Sequence, residues 1–139
     1  MTDLVVDTSA LLAYFDSSEP DHDPVDEVIT GAGGRLVISP YVVAELDYLV
    51  VTRHGVGAGL AVLGELSGGA WELADVGIDD VKRASAIIAK YRDQEIGVAD
   101  ASNVVLAERI RTDVIVTLDH RHFDVLRPAT GGRFTVLPR

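Results

Sequence analysis

The fold is decided by residues 4–13, which read Leu-Val-Val-Asp-Thr-Ser-Ala-Leu-Leu-Ala. Three aliphatic residues in succession are typical of a short strand that is covered on both faces. Thr8 or Ser9 can cap the helix that follows, which we expect to continue through Phe15. Asp7 therefore stands at the carboxyl end of a buried strand, where the chain turns into a helix.

The rest of the chain repeats this alternation of apolar strands and helices. Proline at the start of one helix and glycine after its end are typical helix boundary signals. The order of elements predicts one α/β domain over residues 1–139, with a mostly parallel central sheet and helices on both faces. Further strands are predicted at 36–38, 71–73, 114–116 and 134–136, and helices at about 24–29, 40–53, 57–66, 78–91 and 98–111.

Composition narrows the class of protein. The chain has 139 residues, of which 47% are hydrophobic, enough for one domain with a substantial core. It contains no cysteine, which excludes a disulfide framework and a thiolate zinc site. No apolar run approaches the roughly 18 residues of a membrane span, and we expect no secretory leader. These features predict a cytoplasmic protein that does not enter a membrane.

The charge of the chain is acidic and unevenly distributed. A formal net charge of −10 argues by itself against a nucleic-acid partner, because phosphate binding usually needs a basic surface. Residues 1–81 hold fifteen acids and two arginines, whereas residues 82–139 hold ten basic and seven acidic residues. Two interpretations stay open. The acids form a solvated face, or some of them bind cations beside a basic region that meets an anion.

Two aspartates follow predicted strands at the place where open α/β sheets bind their ligands. Asp7 ends the first strand, and Asp119 comes shortly after the strand at 114–116. In a parallel sheet both carboxylates emerge at the same edge. Each could simply cap the next helix, but Thr8 and Ser9 are rival caps, so capping explains Asp7 poorly.

Two acids in predicted helices are further candidates. Glu45 lies at one rim of the apolar arc of its helix and Asp47 at the opposite rim, so helical periodicity does not choose between them. Asp100 lies in the first turn of its helix, where the helix dipole alone gives a carboxylate a favourable position. A structural role therefore stays open for Asp100.

A cluster of carboxylates indicates a metal site. At an effective dielectric constant of about 20, each pair of like charges 4 Å apart costs on the order of 4 kcal/mol, so such a cluster needs protons or cations. Oxygen ligands without cysteine or clustered histidine favour Mg²⁺ or Mn²⁺ over zinc. Metal ions held in this way promote the hydrolysis of phosphodiesters.

Four short segments carry a family resemblance when they are taken together in their order and spacing. They are Val-Val-Asp-Thr-Ser-Ala-Leu-Leu-Ala at 5–13, Ser-Pro-Tyr-Val-Val-Ala-Glu-Leu at 39–46, Ile-Gly-Val-Ala-Asp-Ala at 96–101 and Val-Thr-Leu-Asp-His-Arg-His-Phe at 116–123. The chain resembles the PIN-domain ribonucleases, and specifically the VapC-type toxins of bacterial toxin–antitoxin pairs. The resemblance extends from Val5 to about Phe134.

The resemblance implies a set of site residues. It selects Glu45 rather than Asp47, and it places Ser9, with Thr8, as a supporting hydroxyl residue that orients the first aspartate or a metal-bound water. The implied catalytic and metal-binding acids are Asp7, Glu45, Asp100 and Asp119. The chain departs from the pattern after the last acid, where many relatives carry a further acid and this sequence has His120-Arg121-His122.

The resemblance also implies an activity and partners. Relatives of this kind use Mg²⁺ or Mn²⁺ to hydrolyse RNA through an activated water, usually leaving a 5′-phosphate and a 3′-hydroxyl. They cut structured RNA, commonly tRNA or a loop of rRNA, and so arrest translation. They form homodimers and are inhibited by a cognate VapB-type antitoxin, whose basic side chain could enter a pocket of four carboxylates.

The basic residues next to Asp119 are the best candidates for contact with RNA. We interpret His120, Arg121 and His122 as a patch that faces phosphate rather than as a set of metal ligands. The weaker candidates, for which a surface or dimer-contact role is equally open, are Arg92, Arg127 and Arg133.

Two other classes of protein do not fit the residues. A haloacid dehalogenase phosphatase needs a second aspartate where this chain has Ser9, and a receiver domain needs a lysine at a strand end, whereas Lys82 and Lys90 both lie in one predicted helix. Two alternatives stay open. One is a housekeeping PIN-domain nuclease of RNA processing, and the other is a non-catalytic acidic module that binds RNA or protein.

Overall fold

A sheet of five parallel strands runs through the centre of the protein. The computed structural model describes residues 1–139, and all four pairs of neighbouring strands are parallel, in the order β3-β2-β1-β4-β5. The predicted α/β class and parallel sheet are confirmed, and the strands lie within one residue of their predicted positions. They are β1 (Leu4–Val6), β2 (Leu36–Ile38), β3 (Glu72–Leu73), β4 (Val114–Val116) and β5 (Thr135–Leu137).

Helices connect the strands and cover both faces of the sheet. Ser39 caps the third helix by accepting a hydrogen bond from the Tyr41 amide, and that helix ends at Gly55, whose φ of 90° suits glycine. None of the helices is long and apolar enough to cross a membrane. They are α1 (Thr8–Phe15), α2 (His22–Thr30), α3 (Pro40–His54), α4 (Val56–Leu66), α5 (Ile78–Lys90), α6 (Val98–Ile110) and α7 (His120–Phe123), with a 3₁₀ turn at Arg92–Gln94.

The strands alternate their side chains between two hydrophobic cores. Leu4 and Val6 pack on the side of α1 to α4, whereas Val5 packs on the opposite side against α5 and α6. Val5 and Val6 are both fully buried, and burial of each valine contributes about 1.5–3 kcal/mol. Because the centre of the sheet is covered on both faces, β1, β2 and β4 are continuously apolar rather than alternating, as the sequence predicted.

The sheet has its topological switch point between β1 and β4. From β1 the chain first builds the sheet outward through β2 and β3, and then returns to add β4 and β5 on the other side. The Asp7 amide donates a hydrogen bond of 2.9 Å to the Val116 carbonyl, which ties the ends of the two central strands together. A crevice at the carboxyl ends of these strands is the expected ligand site of such a sheet.

Candidate active site

Four acidic side chains line one cavity at this crevice. The cavity has a volume of about 230 Å³, and Thr8, Ser9, Leu12 and Leu49 complete its wall. The acids come from four separate segments of the chain, namely the end of β1, the middle of α3, the first turn of α6 and the loop after β4. They are Asp7, Glu45, Asp100 and Asp119, the four acids predicted from the sequence.

The structure resolves the choice between the two acids of α3. Glu45 lines the acidic cavity, whereas Asp47 does not. A carboxylate oxygen of Asp47 lies instead next to Gly59 of α4, the helix that packs against α3. The two acids thus face different neighbours, as their positions at opposite rims of the apolar arc require.

Asp7 is fixed in orientation by two side chains that the sequence analysis did not identify. Its Oδ1 atom accepts a hydrogen bond of 2.9 Å from the Asn103 amide, and its Oδ2 atom accepts one of 2.7 Å from the Thr117 hydroxyl. Asp7 makes no capping bond to α1, which agrees with the expectation that capping explains it poorly. Both partners are completely buried, so the carboxylate has little freedom to rotate.

Ser9 reaches Asp7 through Thr117 rather than directly. The Ser9 hydroxyl lies 3.2 Å from the Thr117 hydroxyl and accepts a hydrogen bond of 2.9 Å from the Leu118 amide. Because the Thr117 proton is given to Asp7, Ser9 is the donor in its contact with Thr117. The Thr117 oxygen also accepts from the Asp119 amide at 2.9 Å, so one hydroxyl group connects both strand-end aspartates.

The sequence positions of Asn103 and Thr117 indicate that each could be a buried polar residue. Asn103 lies three residues after Asp100 in α6 and therefore on the same side of the helix, within a stretch that is otherwise buried and mostly apolar. Thr117 directly follows the apolar strand β4. A polar residue in such a place is a signal for a buried partner of a site acid.

A second buried contact joins the helices that carry Glu45 and Asp100. The Ser39 and Ser102 hydroxyl oxygens lie 2.7 Å apart, and Ser102 donates to the Ala99 carbonyl at the same distance. Ser39 caps α3 and Ser102 belongs to α6, so the pair links the two helices that carry these acids.

Burial and mutual repulsion make two of the acids easier to protonate. Burial, together with the charges of Asp100 and Glu45, raises the pKa of Asp7 to about 6, although the hydrogen bond from Thr117 opposes the rise. Burial also raises the pKa of Asp100, with His122 opposing and Asp119 adding to the rise. The positively charged and hydrogen-bonding groups around the cavity therefore do not fully compensate the negative charge of its acids.

The imidazole of His122 lies against this cluster. Its Nδ1 atom is 2.9 Å from Oδ2 of Asp119 and 3.3 Å from Oδ2 of Asp100. The cause is α7, a single helical turn that the sequence analysis missed, in which Asp119 accepts a hydrogen bond from the His122 amide. The interpretation of 120–122 as an outward patch therefore differs from the structure at His122, since only His120 and Arg121 are exposed.

The donor set of the cavity fits a divalent cation. Ligand atoms of Asp100, Asp119 and His122 lie within 4.8 Å of one another, close enough to share one ion. The Thr8 hydroxyl is buried at the cavity wall and has no hydrogen-bond partner, so a further oxygen is available there. Carboxylate and hydroxyl oxygens are the donors that Mg²⁺ and Mn²⁺ prefer.

Several basic side chains are free of acidic partners. Arg121, Arg92 and Arg133 make no ion pair, whereas Arg35, Arg53, Arg83 and Arg109 all pair with acids. Arg127 donates to the Asp124 and Leu126 carbonyls, which ties it to its own loop. Arg121 also follows Asp119 by two residues, so among the predicted RNA-contacting arginines it is the one adjacent to the acids in sequence.

Two cavities elsewhere are larger but lack this chemistry. One of about 620 Å³ lies near Asp3 and Arg111, and one of about 630 Å³ lies near Tyr14 and Val62. Neither brings together acids or histidines whose ligand atoms could share one ion. The acidic cavity is therefore the candidate active site.

Comparisons with known proteins agree with this fold. The PIN domain family matches residues 4–127 of the chain. The ribonuclease VapC26 of Mycobacterium tuberculosis is 64% identical over 135 residues, which are 97% of this chain and 100% of that protein.

Solved structures give the same fold at low sequence identity. The VapC20 toxin of Mycobacterium tuberculosis, which cleaves the sarcin–ricin loop, superposes with a TM-score of 0.78 at 17% identity, over 84% of this chain and 90% of that one. The DNA-bound VapBC of Salmonella typhimurium superposes with a TM-score of 0.72 at 22% identity, over 98% of each chain. With the family match and the 64% identity, these likenesses show that the chain belongs to the PIN-domain family and is a homologue of the VapC ribonuclease toxins.

Proposed function

We propose that the protein is a divalent-metal-dependent endoribonuclease that cuts structured RNA as the toxin of a toxin–antitoxin pair. The observation that carries the proposal is the convergence of four acids from four segments of the chain on one cavity at the switch point of the sheet. Like charges brought together in this way are costly without a counter-charge. A divalent cation supplies that counter-charge and is the ordinary cofactor of phosphodiester hydrolysis.

The proposed ligands of Mg²⁺ or Mn²⁺ are the acids of the cavity, Asp7, Glu45, Asp100 and Asp119. When bound, such a cation polarises a phosphoryl oxygen and lowers the pKa of a water molecule. Asn103 and Thr117 hold both oxygens of Asp7, so this carboxylate is oriented before any ligand arrives. In the hydrolysis, water adds to phosphorus as the bond to the 3′ oxygen breaks, which leaves a 5′-phosphate and a 3′-hydroxyl.

The proposed substrate is a structured RNA, either tRNA or a loop of rRNA. Arg121 and His120 are exposed on α7, directly after Asp119, so they are placed to meet phosphates that flank the cut bond. Residues 82–139 carry the excess of basic residues, although the whole chain is acidic. Recognition thus depends on this local patch and on the metal rather than on the overall field of the protein.

The proposed partners are a VapB-type antitoxin and a second copy of the chain. The support is the likeness to solved toxin–antitoxin assemblies, among them a toxin–antitoxin complex from Klebsiella pneumoniae and VapBC2 from Rickettsia felis bound to a promoter DNA fragment. A basic side chain of such an antitoxin would neutralise the four carboxylates and block the cavity. The same likeness favours a toxin over a housekeeping nuclease.

The test is cleavage of defined RNAs by the purified protein. We expect cuts in tRNA or in an rRNA fragment with Mg²⁺ or Mn²⁺, none after treatment with EDTA, and recovery when the metal is restored. Mapping of the ends should give a 5′-phosphate. We also expect the neighbouring upstream reading frame to encode a small protein whose co-expression suppresses toxicity. Cleavage that persists in EDTA would overturn the proposed mechanism.

A further inference from the structure

His122 adds an imidazole nitrogen to a site that otherwise consists of carboxylates. Its Nδ1 atom is buried, lies 2.9 Å and 3.3 Å from carboxylate oxygens of Asp119 and Asp100, and makes no hydrogen bond of acceptable geometry. A buried polar nitrogen without a hydrogen bond is costly, and such an atom calls for a partner. The neighbouring oxygens are those of two acids of the candidate active site.

The geometry points to His122 as a direct ligand of the divalent metal. We propose that Nδ1 of His122 binds the ion together with carboxylate oxygens of Asp100 and Asp119, and that this imidazole makes the site prefer Mn²⁺ to Mg²⁺. The three ligand atoms lie within 4.8 Å of one another, which allows them to share one ion. The proposal rests on the metal dependence proposed above.

The preference follows from the chemistry of the ligands. Mg²⁺ is a hard cation that binds almost entirely through oxygen and loses its water reluctantly. First-row transition metals accept imidazole nitrogen more readily than Mg²⁺ does, and Mn²⁺ belongs to that series while also binding carboxylate oxygen well. A site of two carboxylates and one imidazole therefore favours Mn²⁺ over Mg²⁺ more than a site of oxygens alone.

The fold supports direct binding because α7 fixes the ring. The Asp119 side chain accepts a hydrogen bond of 3.1 Å from the His122 amide, and Phe123, the next residue, is buried in the core beside Phe134. The backbone that carries the imidazole is thus held by this hydrogen bond and by the burial of the next side chain. His120, two residues earlier, is exposed and is not part of the group that could share an ion.

The experiment measures the metal directly rather than the activity. Electron spin echo envelope modulation of Mn²⁺ bound to the wild-type protein should show a directly bonded ¹⁴N nucleus, and His122→Asn should abolish that signal. His120→Asn is the matched control and should keep both the nitrogen signal and the Mn²⁺ affinity. The melting temperature of each variant in EDTA shows whether it is folded.

Calorimetric titration with each metal adds a second measurement. Loss of a residue that only hydrogen-bonds to a metal ligand lowers metal affinity about ten- to a hundredfold. Because His122 is proposed as a ligand itself, His122→Asn should weaken Mn²⁺ binding by at least about tenfold. Mg²⁺ binding should change less, and His122→Asp should shift the preference from Mn²⁺ towards Mg²⁺ because it replaces nitrogen with oxygen.

The outcomes separate this inference from the proposed function. Bound Mn²⁺ without a ¹⁴N signal, or a signal that survives in His122→Asn, overturns the role of His122 and leaves the carboxylate metal site intact. A wild-type protein that binds neither metal overturns the proposed metal dependence and this inference with it. A nitrogen signal that disappears only in His122→Asn supports the assignment.

Discussion

The Thr117 hydroxyl donates a hydrogen bond of 2.7 Å to Oδ2 of Asp7, across the junction between β1 and β4. The same oxygen accepts a hydrogen bond from the Asp119 amide, so a single buried hydroxyl positions the two aspartates that follow the central strands. Ser9 adds a third contact to this hydroxyl. The site is therefore held together by a residue that does not line the acidic cavity.

This relationship predicts a loss of metal binding when the hydroxyl is removed. Thr117→Val keeps the shape of the side chain but leaves Asp7 and the Asp119 amide without their buried partner. We expect metal affinity to fall about ten- to a hundredfold, as for other residues that orient a metal ligand, and the free energy of unfolding to fall by about 1–3 kcal/mol. Thr117→Ser should restore affinity. Isothermal titration with Mn²⁺ measures the effect.

A threonine at the other end of β4 provides the control. The Thr112 hydroxyl donates to the Asp3 carbonyl at 2.7 Å and accepts from the Val114 amide, far along the strand from the acids. Thr112→Val should also reduce stability but should leave the affinity for Mn²⁺ unchanged. Equal affinity losses in Thr112→Val and Thr117→Val would mean that general destabilisation is the cause.

A second prediction concerns pH and the stability of the metal-free protein. The Asp7 carboxyl has a pKa of about 6 in the folded protein and an ordinary value of 3.8, so the folded state binds the proton more tightly. Stability contributed by this group is present below pH 4 and is lost as the pH rises through 6. The shift corresponds to roughly 3 kcal/mol between these limits.

Asp7→Asn isolates this contribution because asparagine is uncharged at every pH. In EDTA at pH 7.5 the variant should be more stable than the wild type, by as much as about 3 kcal/mol, and the difference should shrink to about 1 kcal/mol at pH 4.5. Urea unfolding at four pH values between 4.5 and 7.5 measures it. The same variant should lose RNA cleavage. A stability difference that does not vary with pH would contradict the assigned pKa.

A third prediction compares the two acids of α3. Metal binding should stabilise the wild-type protein by about 2.7 kcal/mol when the free metal is at a hundred times its dissociation constant, which raises the melting temperature by several degrees. Glu45→Gln should reduce this gain because Glu45 lines the cavity. Asp47→Asn should keep it because Asp47 lies beside Gly59. Thermal melts with and without MnCl₂, at about a hundred times the dissociation constant measured for the wild type, distinguish the two.

The pair Glu45 and Asp47 also shows what the sequence could predict and what it could not. The strands and most helices followed from apolar runs and boundary signals, whereas the set of four acids was complete only with the family resemblance. Periodicity alone did not separate Glu45 from Asp47, because that choice depends on the packing of α4 against α3. Every residue from Ala101 to Ala107 is buried, so no exposed face of α6 marked Asn103 as a partner of Asp7.

The sequence did not predict that the His122 side chain lies against the acids of the cavity. The helix α7 has only four residues, too few for a periodic pattern. It forms because Asp119 caps it, so the simple capping role weighed for this aspartate is also present. One carboxylate thus both faces the cavity and starts the turn that brings His122 to it.

A fourth prediction concerns the buried contact between Ser39 and Ser102. Ser102→Ala removes a contact of 2.7 Å between the helices that carry Glu45 and Asp100, and it leaves the Ser39 hydroxyl without this partner. We expect the free energy of unfolding to fall by about 1–2 kcal/mol. Ser67→Ala, at an exposed helix end, is the control and should change stability by less than about 0.5 kcal/mol. Equal losses of unfolding free energy in the two variants would mean that the buried contact contributes no more to stability than the exposed one.

The last prediction concerns the recognition of RNA by a protein of net charge −10. Arg121 is exposed, makes no ion pair and lies two residues after Asp119, and we propose that it contacts phosphate near the cut bond. If Arg121 contacts one phosphate, Arg121→Ala should raise KM with little change in kcat, because the contact is made equally in the ground state and the transition state. It should also reduce the slope of log affinity against log salt by about one.

Lys82→Ala serves as the control for charge alone. Lys82 is exposed on α5 and does not line the acidic cavity, but its loss changes the net charge by the same amount. If recognition depended on the overall field, both variants would weaken RNA binding and flatten the salt dependence equally. If it depends on the patch beside Asp119, only Arg121→Ala will do so. Filter binding of tRNA by the two variants between 50 and 200 mM salt, roughly the range over which phosphate contacts dominate affinity, decides between these accounts.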